Sequence, residues 1–174
     1  MCISRSPCLF ETGEPEVRKS VKQVAIIAVL TVATTIGISS PAWAANYASY
    51  ENRRTNVCLD SNSAGSAYTQ GCNTGYYQDW DLQFISGTSY YLKNRATGRC
   101  LDANSANSVY TLSCNGGTNQ RWRRVYPSSS SYGQWINVQT GKCLTATNLS
   151  GTHVVYTSVC TDSPDNQQIR WIRI

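Results

Sequence analysis

The chain has 174 residues and a net charge of +5 at neutral pH, from 15 Lys and Arg against 10 Asp and Glu. The basic residues are scattered, which argues against nucleic-acid binding, because that function needs Lys and Arg concentrated on one face. Eleven Tyr and five Trp beside only two Phe favour strands and wet, planar-faced ligands over an oily helical core.

The first 44 residues have the organisation of a secretory signal. Basic residues precede an apolar run over 24–38, and the small-x-small sequence Ala42-Trp43-Ala44 follows it. This order predicts cleavage after Ala44. A membrane anchor is the alternative, but the run is shorter than the roughly 20 apolar residues that a spanning helix needs. Three Glu within 1–16 do not suit a signal, so we place the true translation start near residues 17–21.

After the leader, the chain repeats one unit three times, over about 47–88, 89–131 and 132–174. Each unit contains an Asn, a Cys-Leu pair six residues later, a Tyr-Thr pair, a second Cys and a terminal Trp. The first cysteines of the three units are Cys58, Cys100 and Cys143. A repeat of this length predicts three copies of one structural unit that bury a shared core.

Six cysteines follow the leader and could pair in about fifteen ways on counting alone. The repeat favours one disulfide within each unit, namely Cys58–Cys72, Cys100–Cys114 and Cys143–Cys160. Each should stabilise the fold by roughly 3 kcal/mol in the chain-entropy treatment, and secretion supplies the oxidising compartment. A metal site would need closely spaced Cys or His ligands, which the sequence lacks, so no metal or other cofactor is predicted.

The local patterns within each unit are those of short strands. Tyr50, Leu92 and Trp135 each stand two residues before the repeated Asn and are predicted to point inward. The Thr-Gly steps at 97–98 and 140–141 predict tight turns with positive φ at Gly. No sustained helical period follows residue 45. Three all-β units that cannot each bury an apolar face imply a closed threefold assembly.

At this point the sequence resembles a known family. The unit Cys-Leu-Asp, Cys, Gln-x-Trp, repeated over residues 46–174, resembles the ricin B-type lectin repeat, which implies a β-trefoil. The stretch Leu101–Trp122 is similar to the compact form found in small stand-alone lectins of that family. The resemblance implies binding of α-linked mannose on high-mannose glycans, with one shallow site per unit.

The resemblance also implies which residues contact the sugar. In the first repeat they are Asp60, Tyr68, Asn73, Tyr77 and Gln78. In the second they are Asp102, Tyr110, Leu112, Asn115 and Gln120. The third repeat has Thr145 and Thr161 in place of the Asp and Asn, and its cysteines are farther apart, so we expect it to support the fold and bind little.

This set of side chains suits a sugar, which offers paired hydroxyls and one weakly apolar ring face. A fixed carboxylate and amides would bind the hydroxyls, and an aromatic ring would cover the face. The alternative for Asp60 and Asp102 is that each only caps a turn. Trp80, Trp122 and Trp171 are predicted to be core residues rather than ligand plates.

Enzymatic activity is not predicted. A glycosidase usually needs two positioned carboxylates, whereas Glu51 is the one glutamate after the leader and no motif places a second acid beside it. A lone His153, expected to be solvated, gives no Ser-His-Asp arrangement. We expect a secreted, monomeric lectin for mannose-containing glycans, without nucleic-acid partners or stable membrane insertion. The alternative is an interaction or inhibitor protein that uses segment 148–153 as a divergent exposed loop. A targeting module separated from an enzyme is a weaker reading, because no catalytic stretch accompanies it.

Overall fold

The computed structural model describes residues 45–127, 130–149, 152–162 and 167–174. The predicted leader, residues 1–44, lies outside them. The described residues form thirteen strands, which are β1 Tyr47–Ala48, β2 Tyr50–Asn52, β3 Cys58–Ser61, β4 Ala67–Gln70, β5 Trp80–Ser86, β6 Ser89–Asn94, β7 Cys100–Ala103, β8 Val109–Leu112, β9 Trp122–Val125, β10 Gln134–Asn137, β11 Cys143–Leu149, β12 Thr152–Ser158 and β13 Trp171–Arg173. Two single-turn 3-10 helices, Thr118–Gln120 and Gln167–Ile169, accompany them. None of these described segments is a helix that could span a membrane.

Seven of the thirteen described strands close into a barrel. Strands β1 and β2 are two parts of one strand interrupted at Ser49, and they pair with β5 on one side and β13 on the other. Strand β5 pairs with β6, β6 with β9, and β9 with β10, all antiparallel. A bridge between Gly133, just before β10, and Trp171 completes the ring. Each repeat therefore supplies two of the six barrel strands.

The remaining strands form three hairpins, β3–β4, β7–β8 and β11–β12, one from each repeat. The hairpins meet through three bridges, each joining the Tyr of one repeat to the residue two positions before the Tyr of another. The bridges are Tyr68 with Val154, Tyr110 with Ser66, and Tyr156 with Ser108. A six-stranded barrel with a threefold hairpin cap is a β-trefoil, so the predicted all-β fold of three repeats is confirmed.

The core shows the same threefold pattern. Trp80, Trp122 and Trp171 are fully buried, which confirms that they are core residues. Each indole Nε1 donates to the main-chain oxygen of the Leu after the first cysteine of its own repeat. The pairs are Trp80 with Leu59 at 3.0 Å, Trp122 with Leu101 at 2.9 Å and Trp171 with Leu144 at 2.9 Å. Tyr50, Leu92 and Trp135 are also fully buried, as predicted.

The repeated Asn joins each repeat to the one before it, a role that the sequence did not reveal. Its Nδ2 donates to the main-chain oxygen of the residue just before the Gln of the Gln-x-Trp sequence. In the third repeat Ile169 occupies the position of that Gln. The bonds are Asn94 to Tyr77 at 2.7 Å, Asn137 to Asn119 at 2.6 Å and Asn52 to Gln168 at 2.7 Å. The last of these links the first repeat to the third, so the series of contacts is cyclic.

The three disulfides pair as predicted: Cys58 with Cys72, Cys100 with Cys114, and Cys143 with Cys160. The predicted tight turns are also present. Gly98 has φ of 66° and Gly141 of 67°, and the first repeat places Asn56 in the same position with φ of 51°. Asn is among the few non-Gly residues that adopt this left-handed conformation without large strain, which explains why this repeat can do without the glycine.

The divergent segment 148–153 differs from the sequence expectation. Instead of forming an exposed loop, its backbone extends the third hairpin, where Asn148 pairs with His153 and Leu149 with Thr152; residues 150–151 lie outside the described part. Strand pairing satisfies main-chain donors and acceptors that a loop would leave to water. His153, expected to be solvated, is half-buried.

Candidate functional site

The first repeat holds its acid with a buried amide. Asp60 lies in β3, and its Oδ2 accepts a hydrogen bond from Gln78 Nε2 at 2.9 Å. The other contacts of Gln78 go to the main chain: Nε2 donates to Gly71 O at 3.1 Å, and Oε1 accepts from Asn73 N at 2.9 Å. Because its amide is bound at both ends, Gln78 fixes the carboxylate relative to the loop that follows Gly71.

The second oxygen of this carboxylate has no partner. Asp60 is only 4% exposed, and its Oδ1 is buried without a hydrogen-bond partner among the described residues. The hydroxyl of Tyr68 lies beside it and donates to Ser61 O at 3.3 Å. Burial raises the pKa of Tyr68, and the negative charge of Asp60 and a hydrogen bond between the two side chains add to the increase. A buried oxygen without a donor is poised to accept one, and side chains around it, Tyr68 included, would have to shift for a ligand to reach it.

Tyr77, directly before Gln78 in the chain, supplies an exposed ring. Its side chain is 44% exposed, while its main-chain oxygen accepts from Ser61 N at 3.3 Å and from Asn94 Nδ2 at 2.7 Å. The backbone of Tyr77 is thus fixed to β3 and to the second repeat. This arrangement leaves the ring free to cover a ligand.

The amides predicted to contact sugar have a local structural role. Asn73 Oδ1 accepts from Gly75 N at 2.7 Å and its Nδ2 donates to Gly71 O at 3.3 Å. In the second repeat, Asn115 Oδ1 accepts from Gly117 N at 2.8 Å. Both side chains remain exposed. They shape the loop beside the carboxylate, and their contact with a sugar stays a prediction.

The second repeat has a similar arrangement around Asp102. Asp102 is buried, and its Oδ1 also has no partner among the described residues. Burial raises the pKa of Asp102, while hydrogen bonds with Tyr110 and Gln120 oppose the increase; burial and the Asp102 charge in turn raise the pKa of Tyr110. Gln120 binds the main chain as Gln78 does, through Asn115 N at 2.9 Å and Ser113 O at 3.1 Å.

The second repeat lacks the exposed aromatic ring. Asn119 occupies the position of Tyr77, and its Nδ2 donates to Ala103 O at 2.8 Å, so its side chain folds back on β7. Leu112, at the end of β8, is 45% exposed and offers an apolar surface instead. The structure therefore brings Asp60, Tyr68, Asn73 and Gln78 of the first repeat together, with Tyr77 directly before Gln78. The second repeat keeps the carboxylate, the tyrosine and the amide but has no counterpart of the exposed Tyr77.

The third repeat has neither the acid nor the amide. Thr145 replaces the aspartate, and its Oγ1 bonds to Cys143 O at 2.9 Å and to Ser158 Oγ at 2.7 Å. Ile169, fully buried, replaces the glutamine two residues before Trp171. The sequence carries this signal, because counting two residues back from Trp171 reaches Ile169, but the glutamines at 167 and 168 obscure it.

Comparison with known proteins agrees with this architecture. The family model of the ricin-type β-trefoil lectin domain matches residues 46–169. No curated protein matches the chain. Among solved structures, the designed threefold symmetric protein ThreeFoil is 26% identical with a TM-score of 0.64, over 74% of this chain and 97% of that one.

Two natural proteins show the same fold at lower identity. The Polyporus squamosus lectin, solved with the epitope Neu5Aca2-6Galb1-4GlcNAc, is 16% identical with a TM-score of 0.63, over 74% of this chain and 48% of that one. An exo-β-1,3-galactanase from Clostridium thermocellum is 18% identical with a TM-score of 0.63, over 74% of this chain and 30% of that one. The family match spans most of the chain and coincides with the threefold barrel, the three disulfides and the paired Asp and Gln, and the chain therefore belongs to the ricin-type β-trefoil lectin family.

Proposed function

We propose that the protein is a secreted, non-catalytic lectin that binds mannose-type glycans through the first and second repeats and acts as a monomer. Carbohydrate binding is the function that membership of the lectin family supports. The observation that carries the proposal is the carboxylate of Asp60, which Gln78 holds at 2.9 Å through one oxygen and whose other oxygen has no partner among the described residues. The exposed Tyr77 directly precedes Gln78.

The binding chemistry follows from this geometry. A sugar hydroxyl donates to the free carboxylate oxygen, and such a charge-assisted bond is shorter and stronger than a neutral one. The ring of Tyr77 packs on the apolar face of the sugar. Because Gln78 keeps the carboxylate in place before the ligand arrives, little ordering of side chains is needed on binding, apart from a shift around Tyr68.

Two sites on one rigid fold increase the apparent affinity for branched glycans. Each site is shallow and individually weak. When one arm of a glycan occupies the first repeat, binding of a second arm to the second repeat becomes intramolecular and gains from a high effective concentration. The second repeat lacks the ring, so we assign it the weaker site.

The mannose assignment and the secretion assignment rest on different observations. Mannose rests on the likeness of the stretch Leu101–Trp122 to small mannose-binding members of the family. Secretion rests on the signal-like sequence over 1–44 together with three disulfides, which persist in oxidising compartments. The absence of catalysis is proposed because each site holds a single aspartate, whereas a glycosidase usually places two carboxylates about the scissile bond.

A glycan array probed with the purified protein tests the proposal, with the Asp60→Asn, Asp102→Asn double variant as the matched control. We expect retention by glycans with terminal α-linked mannose, lost in the double variant. Retention by other sugars alone would contradict the mannose assignment, and retention by none would contradict sugar binding. Release of reducing sugar from a bound glycan would contradict the non-catalytic assignment.

A further inference from the structure

A cleft of about 950 Å³ lies away from the sites of the first and second repeats. It is bounded by β5, β6, β9 and β13, and none of the ten predicted sugar-contacting residues lines it. The side chains that matter for its chemistry are Phe84, Tyr90, Arg124, Tyr126, Arg173 and Asp81. The cleft therefore combines aromatic rings with two cations and one acid.

Arg124 is the half-buried cation of this cleft, and it lacks an anionic partner. Its Cζ lies 4.9 Å from the ring centroid of Tyr126 and 5.0 Å from that of Trp135. It forms no ion pair with any residue that the structure describes. The acid of the cleft is already engaged, since the Asp81 oxygens accept from Asn46 N and Gln83 Nε2, each at 3.1 Å.

Two buried donors at Arg124 lack acceptors. Arg124 Nε and Nε1 of Trp135 are buried, and neither has a hydrogen-bond partner within the described part of the chain. Tyr50 and Trp135 are fully buried, and Arg124 lies over both rings. Burial raises the pKa of Tyr50 to about 12, although the charge of Arg124 and a hydrogen bond between the two side chains oppose the increase. Of these groups only Arg124 lines the cleft, and its guanidinium, which has no anionic partner among the described residues, favours a negative acceptor there.

The mouth of the cleft is aromatic. Phe84 is 65% exposed and Tyr126 54% exposed, and Tyr90 packs edge-on against Phe84 with ring centroids 5.8 Å apart. Gly133 allows Arg124 and Tyr126 to lie where they do, because a Cβ there would stand 3.0 Å from Arg124 Nε and 3.4 Å from the Tyr126 ring. Exposed rings around a guanidinium suit a ligand that has both a ring face and an anionic group.

We propose that this cleft is a further binding site, for a sugar residue that carries a carboxylate. The carboxylate binds Arg124, and the sugar ring packs against Phe84 and Tyr126. The site is independent of Asp60 and Asp102, and its ligand class differs from the neutral sugar assigned to the repeats. The protein would then bind neutral and acidic sugars at separate places.

Titration of the purified protein with D-glucuronic acid and with D-glucose, followed by NMR chemical shifts, tests the proposal. The two sugars differ at one carbon, so the comparison isolates the carboxylate. We expect glucuronate to bind and glucose to bind at least about tenfold more weakly, since a hydrogen bond to a charged group is worth about one such factor or more. The shifted resonances should belong to the cleft.

Variants assign the binding to Arg124. Arg124→Gln should weaken glucuronate binding by about tenfold or more, whereas Arg123→Gln, on the exposed face of the same strand, should leave it unchanged. Phe84→Ala removes an exposed ring without touching the core and should weaken binding severalfold, which keeps the test valid if Arg124→Gln does not fold. Asp60→Asn should have no effect.

Four results would overturn the proposal. They are the absence of glucuronate binding, equal binding of glucose and glucuronate, an equal loss in the Arg123 and Arg124 variants, and loss of glucuronate binding in Asp60→Asn. Failure of mannose glycans to bind while glucuronate still binds at the cleft would contradict the function proposed for the repeats and leave this inference standing.

Discussion

The first and third repeats have the same scaffold and different sites. Both keep the disulfide, the Trp indole bond to a Leu oxygen and the Asn bond to the preceding repeat. The first repeat buries Asp60 against Gln78, whereas the third places Thr145 and Ile169 at those positions. The contrast teaches that the elements that hold the barrel are separable from the pair that makes the site.

The third repeat lacks both the aspartate and the glutamine of this pair for a physical reason. Removing one partner of a buried hydrogen bond leaves the other unsatisfied and costs about 1–3 kcal/mol, while replacing both can be nearly neutral. A repeat with the aspartate but no glutamine would carry a buried, unsupported carboxylate. The third repeat avoids this, since Thr145 bonds locally to Cys143 O and Ser158 Oγ and Ile169 joins the core.

The largest expected effect on stability tests whether the first and third repeats support the barrel equally. Trp80→Ala and Trp171→Ala should each lower the free energy of unfolding by about 3–5 kcal/mol, because each removes a fully buried indole. Urea unfolding at constant pH measures this. Tyr77→Ala, which truncates an exposed ring, is the control and should change stability by less than about 0.5 kcal/mol. A much smaller loss for Trp171→Ala would show that the third repeat does not support the barrel as the first does.

A double-variant cycle tests the coupling of Asp60 and Gln78. Gln78→Ile alone should cost about 1–3 kcal/mol of unfolding free energy, because it leaves the buried carboxylate unpaired. Asp60→Thr with Gln78→Ile, which copies the pair of the third repeat, should cost less than the sum of the two single changes. The two single variants and the double variant are each measured by urea unfolding. Strict additivity would mean that the bond at 2.9 Å contributes nothing to stability.

Sugar binding should also differ between the first and third repeats. Asp60→Asn should weaken binding of a mannose-terminated glycan by roughly tenfold, because it removes the charge from the bond to the sugar hydroxyl. Thr145→Ala should leave the affinity unchanged, because the third repeat has a threonine where the first has Asp60. Calorimetric titration with one oligomannoside measures both. Equal effects would show that the binding has been assigned to the wrong repeats.

The smallest effect concerns pH and the second repeat. The folded-state pKa of Asp102 is raised above its usual value of 3.8 by burial, so the folded protein takes up a proton more readily than the unfolded chain. The contribution of Asp102 to unfolding free energy should therefore increase as the pH falls through the raised pKa, and disappear in Asp102→Asn. Glycan binding that survives in Asp60→Asn should weaken over the same interval, because protonation removes the acceptor charge. Titrations between neutral pH and pH 4 test both, and a profile unchanged in Asp102→Asn would assign the effect to another group.

Much of the fold could be predicted from the sequence because it repeats. Cys58, Cys100 and Cys143 recur with matching second cysteines, which singles out one disulfide pairing, and Trp80, Trp122 and Trp171 recur at the unit ends as core residues. The positive φ at Gly98 and Gly141 follows from the Thr-Gly steps. These features depend on local spacing within a unit, and the three copies allow that spacing to be recognised.

Two of the exceptions lie where the third repeat departs from the others, and one lies in the first repeat. Segment 148–153 was expected to be an exposed loop, but its backbone extends a hairpin, because pairing across β11 and β12 depends on two strands and not on the divergence of either. The neighbouring glutamines obscured Ile169. It corresponds to Gln78, and this becomes clear once Trp171 is seen to have the same core role as Trp80. The local role of Asn73 in its loop likewise depends on the position of Gly75 N.

The sequence alone determined the repeat, the disulfides, the buried tryptophans and the inequality of the three units, because each depends on residue type at fixed spacing. Only the tertiary structure decided how the units close on one another through Asn52, Asn94 and Asn137, that Asp60 has a buried oxygen without a donor among the described residues, and that Arg124 lies among aromatic rings without an anionic partner in that part of the chain. These facts depend on which atoms meet between segments that are separated in the sequence. Asp60 and Gln78 meet within the first repeat, whereas the Asn bonds and the contact of Arg124 with Trp135 join different repeats, so only the folded chain brings these atoms together.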